Sequence, residues 1–244
     1  MRKQNLLFIP FVLGIGIWFN SCMGNGHNVT TYPPTPAVVV DVRMDEGGTI
    51  IGTPFGYIAA PGLTNNFLGD CLYINTFTID YDNQPSNQYY TATQIDKQDV
   101  GQHNLEQSLS VELGEDTLML STLNGLSDPH FNGKFFIVAT SKDNIADFRL
   151  VYNRGEEEVN GVKNLYLLAK PSSSISNATT VSSIYAFDVN SLIYAQQNND
   201  TIISTVNYKY IKANLKYFSG ITDGEPVYKT VNDLNSPFEI YIYQ

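Results

Sequence analysis

The residues able to do chemistry are few and scattered. There are two cysteines, Cys22 and Cys71, and three histidines, His27, His103 and His130, none at metal-ligand spacing from another. No Gly-x-Ser-x-Gly elbow, His-Glu-x-x-His, Cys-x-x-Cys, Ser-x-x-Lys or P-loop pattern occurs. Glu156-Glu157-Glu158 is the densest acidic run. Glycoside hydrolysis needs two carboxyl groups facing each other across a cleft, and a run just before Asn160-Gly161 reads as a solvated hairpin tip instead. Asp80-Tyr81-Asp82-Asn83 clusters oxygens as hard cations require, yet it lacks the later Glu and central Gly of a calcium loop and reads as a turn. The expectation is a chain with no catalytic residue, no metal and no cofactor, and so not an enzyme. The tyrosines hold more promise: Tyr208, Tyr210, Tyr241 and Tyr243 recur at i, i+2 spacing near the end of the chain. On strands such a stripe stacks on a sugar or a partner protein, or else packs across the sheet.

Cys22 belongs to a different chemistry. Arg2 and Lys3 precede an apolar run from Leu6 to Phe19, broken by Pro10, Gly14 and Gly16. A bilayer span needs about 20 apolar residues, so the short run with its basic start reads as an export signal over 1–21. It ends in Phe19-Asn20-Ser21-Cys22, which resembles a bacterial lipobox: a small residue, then the cysteine whose sulfur takes a diacylglycerol. Two or more acyl chains hold a protein stably on a membrane. Cys22 is therefore the expected lipidation site, and the membrane is the expected first partner. Residues 22–36, with Pro33, Pro34 and Pro36, read as a tether.

Acidic residues outnumber basic ones by 24 to 14, and the imbalance is uneven. From Cys22 to Gly133 the basic residues are Arg43 and Lys97, against 13 acids; the remainder is nearly balanced. Phosphate contacts need Lys and Arg, so nucleic acid is an unsuitable partner. The step in charge suggests two modules. With Cys22 acylated, Cys71 has no partner for a disulfide and reads as a buried, inert thiol.

The elements that must position these residues are strands. Tyr and Phe are abundant, with 16 and 13 copies, and suit half-buried pleated surfaces. Ala37–Val42 is β-branched, Thr49–Ile51 and Phe55–Ala60 follow turn signals, and Cys71–Tyr81 alternates with period two before Tyr89–Ile95 returns. The fold class is all-β: a small OB-like barrel over 37–114, then an antiparallel β-sandwich over 115–244. Between them, 104–124 reads as a bridge with a short helix near Leu105–Leu109 or a strand near Thr117–Leu120. Sandwich strands are expected at 134–140, 148–152, 162–169, 183–189, 201–212, 215–218, 227–231 and 238–243. Asn160-Gly161 marks a hairpin whose turn needs positive φ at both residues.

In this order and texture the chain resembles the NigD-like lipoproteins of the Bacteroidetes. The likeness rests on the lipobox, the Ala37–Val42 strand, Gly47-Gly48, and the strands Tyr73–Tyr81 and Tyr89–Ile95 running into Asp96-Lys97-Gln98-Asp99. It continues through Phe148–Tyr152, Tyr185–Leu192, Val206–Tyr210 and Asp223–Lys229. The resemblance implies the barrel-plus-sandwich fold, lipid anchoring in the cell envelope at the outer membrane, and a role in bacteriocin immunity. It brings no catalytic residues. The acidic cluster that often follows the cysteine in that family, which resembles a surface-export signal, is replaced here by the neutral Met23–His27 segment. This weakens the step from anchoring to surface display and leaves the periplasmic or surface face undecided. Asp116-Thr117-Leu118 and Asp200-Thr201-Ile202 look like Bacteroidetes O-glycosylation acceptors, at Thr117 and Thr201. Three function classes follow: a non-catalytic binder of a protein or glycan, a surface glycan-binding or pilus-associated protein, and a hydrolase with acids drawn from distant strands. Labelling of cells with a palmitate analogue is expected to mark the wild-type chain and to be lost in Cys22→Ala; labelling that survives the substitution contradicts lipidation there.

Overall fold

A computed structural model of the chain describes residues 28–43, 48–85, 88–172, 180–192, 202–205, 208–231 and 236–242. Its first six strands are β1 (Val29–Tyr32), β2 (Thr35–Val42), β3 (Thr49–Thr53), β4 (Gly56–Ala60), β5 (Cys71–Asp80) and β6 (Tyr90–Asp99). The pairs Val29↔Asp80 to Tyr32↔Phe77 and Thr35↔Ile74 to Val38↔Cys71 share one offset. β1 and β2 are therefore a single strand against β5, interrupted at Pro33-Pro34, whose nitrogens have no hydrogen for the ladder. Counted so, five strands close in the order first, second, third, fifth, fourth and back to the first. Only β4 and β6 run parallel, which is the pairing order of an OB-like barrel. Ala37, Val39, Ile51, Ile58, Leu72, Ile74 and Phe77 fill the interior.

The tether expected over 22–36 is thus corrected. Residues 29–32 and 35–36 are barrel strand: Val-Thr-Thr-Tyr has the β-branched and aromatic character that suits a pleated surface, and its prolines mark an interruption within a strand.

Eleven further strands follow among the described residues: β7 (Gly101–Asn104), β8 (Glu106–Ser108), β9 (Leu120–Ser127), β10 (Lys134–Ser141), β11 (Ile145–Asn153), β12 (Lys163–Pro171), β13 (Val181–Asp188), β14 (Ile203–Ser204), β15 (Lys209–Thr222), β16 (Glu225–Thr230) and β17 (Phe238–Ile242). They form a four-stranded sheet, β7-β13-β10-β9, and a seven-stranded sheet centred on β15 and β12. The pairings are antiparallel except β7 with β13, β8 with β11, and β12 with β15. β7 and β8 lie in the stretch that the sequence assigns to the barrel module and bridge, yet they pair in the sandwich sheets. The helix considered near Leu105–Leu109 is absent; β8 is held extended because both oxygens of Glu106 meet the Arg149 fork on β11, at 2.9 and 2.7 Å. The segment expected at 201–212 divides between β14 and the start of β15, and β15 runs on without a break through 215–218. Asn214 does not break the strand because its amide donates to Asn164 Oδ1 on β12 at 3.3 Å. Asn160 and Gly161 do adopt φ of 57° and 71°, closing the hairpin with Val162 N–H donating to Val159 C=O.

Burial on alternate residues builds the layers. Phe135, Ile137 and Phe187 face Phe148, Leu150, Leu165, Leu167, Ile211 and Ile240 inside the sandwich. The opposite face of the four-stranded sheet, through Phe136 and Ala186, meets Val38, Cys71 and Tyr73 of the barrel, with Val100 and Phe131 closing the seam. Gly52 on β3 shows how tight that seam is: a Cβ there would lie 1.9 Å from the carbonyl oxygen of His130. Gly52→Ala is expected to force barrel and sandwich apart locally and to lower stability by about 1–3 kcal/mol, the usual cost of overpacking. Chemical denaturation checks this; an unchanged midpoint contradicts it.

Candidate functional site

The outer face of the seven-stranded sheet is covered over part of its area. Val111 and Leu113 of the segment before β9, with Tyr228, pack on Val151, Tyr166 and Leu168. The β15–β17 end of this face carries the tyrosines. On β15, Ile211, Ala213 and Leu215 turn into the core, so Tyr210, Lys212, Asn214 and Lys216 turn outward. On β17, Phe238, Ile240 and Ile242 are buried and Glu239 and Tyr241 point out. Register places Tyr210 opposite Tyr241 and Lys212 opposite Glu239.

Three of the four tyrosines come together here. Ring centroids lie 5.1 Å apart for Tyr208–Tyr241, 5.7 Å for Tyr210–Tyr241 and 6.4 Å for Tyr208–Tyr210, with planes tilted by 47–76°. All three are half-buried. Tyr243 lies outside the described residues. The Tyr241 hydroxyl donates to Glu239 Oε2 at 3.1 Å, and its backbone N–H donates to Ser127 Oγ at 2.9 Å. Burial, then that carboxylate, pushes the Tyr241 hydroxyl above the usual phenol range, so it stays a donor at neutral pH. Beside Tyr241 is a depression of about 410 Å³, lined by Gly125, Ser127, Phe238, Glu239 and Tyr241 among others. Gly125 is needed at that position: a Cβ would meet the Phe135 ring at 2.6 Å. Rings, one carboxylate and hydroxyl donors can stack on and orient a ligand.

The acidic run is not a solvated tip. Glu156 accepts from Lys216 Nζ and from the Tyr166 hydroxyl, both at 2.5 Å, on the outer face. Glu158 accepts from fully buried Lys163 at 2.8 Å and from the Tyr152 hydroxyl, on the core side of the sheet. Glu157 remains exposed. The carboxylates reach opposite faces and are bound to lysines, so they do not form the facing pair of a glycosidase. No signal in the sequence joined Glu156 to a lysine sixty residues away.

The remaining candidates sit as follows. Cys71 is buried in the seam, and burial pushes its thiol up to about 12, which makes it unreactive. His103 stacks on Tyr185 and lies 3.2 Å from Asp147, while His130 pairs with Asp128 at 2.6 Å, so both are partnered rather than solvated. Among the described residues no group of three or more His, Cys, Asp or Glu could hold a metal. Asp80 and Asp82 serve the turn: Asp80 accepts from Asp82 N–H and Asn83, and Asp82 accepts from Asn28 N–H. Thr117 is exposed, but its neighbours Asp116 and Leu118 are buried, with the Asp116 carboxylate on Arg149 at 2.5 Å. Cys22, His27 and Thr201 lie outside the described residues. No helix among those described is long and apolar enough to cross a membrane.

Burial alone would raise the Glu158 carboxyl, but the hydrogen bonds from Lys163 and Tyr152 outweigh it and the net shift is downward. A depressed folded-state value means that this stabilisation is complete above the ordinary carboxyl value and is lost as pH falls through the folded one. Glu158→Gln is therefore expected to cost about 1.5–3 kcal/mol at pH 7, the range for losing a hydrogen bond to a charged group, because the Lys163 pair is broken. It should also flatten the acid limb of stability against pH below about 4.5. Parallel acid limbs for the two proteins contradict this account.

No protein-family model matches the chain, and no curated protein matches it in sequence. Solved structures do. An uncharacterised protein of Parabacteroides merdae is 18% identical, with a TM-score of 0.60 over 82% of this chain and 96% of that one. A candidate lipoprotein of Bacteroides fragilis is 12% identical, with a TM-score of 0.51 over 83% and 96%. A NigD-like immunity protein of Bacteroides caccae is 15% identical, with a TM-score of 0.49 over 89% and 99%. At these identities the likeness is one of fold: the chain has an all-β architecture, barrel then sandwich, shared with solved proteins of the Bacteroidetes.

Proposed function

We propose that the chain is a non-catalytic envelope protein, anchored at the outer membrane by lipid on Cys22, whose sandwich binds a partner protein through Tyr208, Tyr210 and Tyr241. The observation that carries this reading is the convergence of the three rings at the β15–β17 end of the outer face, outside the cluster that Val111 and Leu113 cover. Core packing does not call for them there, because the alternate residues Ile211, Ala213, Ile240 and Ile242 already fill the interior. Tyrosine combines a large apolar area with a polar tip and loses little side-chain entropy when held, which is why it recurs among binding hot spots. The resemblance to NigD-like lipoproteins makes bacteriocin immunity one setting for such a binder. The depression beside Tyr241 favours a second reading, a glycan seated against Glu239 and Ser127.

Crosslinking in native envelopes followed by co-purification tests the first reading. A partner captured by the wild type should be lost in the Tyr210→Ala/Tyr241→Ala double variant, a change of about 2 kcal/mol or some 30-fold in affinity for each hot-spot ring. Capture that is indifferent to the double variant overturns it. Binding on a sugar array, abolished by Glu239→Ala and with no protein captured, would establish the glycan instead.

A further inference from the structure

The described chain begins next to the barrel's most aromatic feature. Asn28 N–H donates to the Asp82 carboxylate at 2.6 Å, and Tyr81 N–H donates to Asn28 C=O at 2.9 Å. The entering chain is thereby fastened to the barrel mouth formed at the Asp80 end of β5. At that mouth Phe55 packs on Tyr32 at 4.9 Å and Tyr32 stacks on Phe77 at 4.5 Å. The hydroxyls of Tyr32 and Tyr81 share a hydrogen bond, and Tyr81 packs edge-on against Tyr90 at 4.9 Å. Phe55, Tyr32, Tyr81 and Tyr90 thus form a continuous aromatic cap over the barrel interior. Its outer members remain in solvent: Phe55 is 50% exposed, Tyr90 55% and the neighbouring Val29 47%.

We infer that this aromatic mouth rests on the surface of the lipid bilayer that anchors the chain. The inference depends on the reading of Cys22 as the lipidated residue. With β1 built into the barrel, only six residue steps separate Cys22 from Asn28, and a fully extended chain of that length spans at most ~20 Å. The polar headgroup layer takes up about 6 Å of this, so the mouth lies within reach of the interface. A tether this short keeps the effective concentration of the mouth at the interface in the millimolar range or above. Aromatic side chains with one apolar and one polar end concentrate at membrane–water interfaces. Charge does not provide the attraction: between Cys22 and Gly133 the basic residues are Arg43 and Lys97 against 13 acids. Docking is therefore expected on zwitterionic lipid, with no need for anionic headgroups.

Residues 22–244 contain no tryptophan, because the sequence's single tryptophan, Trp18, precedes them. Residues 22–244, which retain every described residue, are coupled through the Cys22 thiol to a maleimide lipid in phosphatidylcholine vesicles; buried Cys71 does not compete. Phe55→Trp and Tyr90→Trp place single tryptophans at the mouth. Phe67→Trp places one on the loop tip at the far end of β5, where Phe67 is 76% exposed. Each variant is first matched to the parent in its circular dichroism. Quenching by a spin-labelled lipid is expected to be about threefold or more stronger for the two mouth reporters than for the tip, as their burial at the interface requires. Equal quenching at mouth and tip, or stronger quenching at the tip, overturns the inference. Because the lipid is attached chemically, that result is separate from a failure of acylation in cells, which palmitate labelling reads on its own.

Discussion

The structure depends on one register. β1 and β2 meet β5 at a single offset on either side of Pro33-Pro34, so the barrel's first strand starts at Val29, before the prolines that look like a linker. Two prolines can sit in a strand only where their missing N–H groups leave no buried carbonyl unsatisfied, and both are exposed here. Tyr32 and Ala37 are five residues apart, so unbroken alternation would send them to opposite faces. Both reach the interior because the alternation changes phase at Pro33-Pro34, as it does on β5 between Ile74 and Phe77. As it stands, Tyr32 stacks on Phe77 and Ala37 is buried in the same core. The offset therefore decides where the barrel's first strand begins, and so which end of the barrel lies beside Asn28.

The same economy runs through the junction of the two modules. β6 passes through buried Val100 directly into β7, which joins β13, and β8 then crosses to β11 in the other sheet. One segment thus feeds both sandwich sheets without a flexible linker. Phe131 and Phe136 fill the seam against Cys71 and Tyr73, and Gly52 lets the backbones approach. With one sheet face spent on the barrel and part of another under Val111 and Leu113, the tyrosine end of β15 and β17 is left open beside Ser127 and Glu239.

What was legible in the sequence was local. Alternation gave Cys71–Asp80, Lys134–Ser141 and Phe238–Ile242, and the Asn160-Gly161 pair gave its hairpin, because period and turn chemistry are carried by neighbouring residues. The i, i+2 spacing also put Tyr208 and Tyr210 on one face; bringing Tyr241 to them took a pairing between strands some thirty residues apart. The strands Gly101–Asn104 and Glu106–Ser108 contain no apolar side chain, so they had no hydrophobic period to show. The lysine partners of Glu156 and Glu158 were equally invisible: an acidic run states its charge and says nothing of which distant cation neutralises it.

The central claim is that residues 29–32 are barrel and not tether, and amide hydrogen exchange tests it most directly. The account predicts that the alternate amides of Val29–Tyr32 facing β5 exchange as slowly as those of Thr35–Val38, because one ladder protects both. Exchange of 29–32 at the rate of an unstructured segment, with 35–38 protected, would return the strand to the tether and contradict the account.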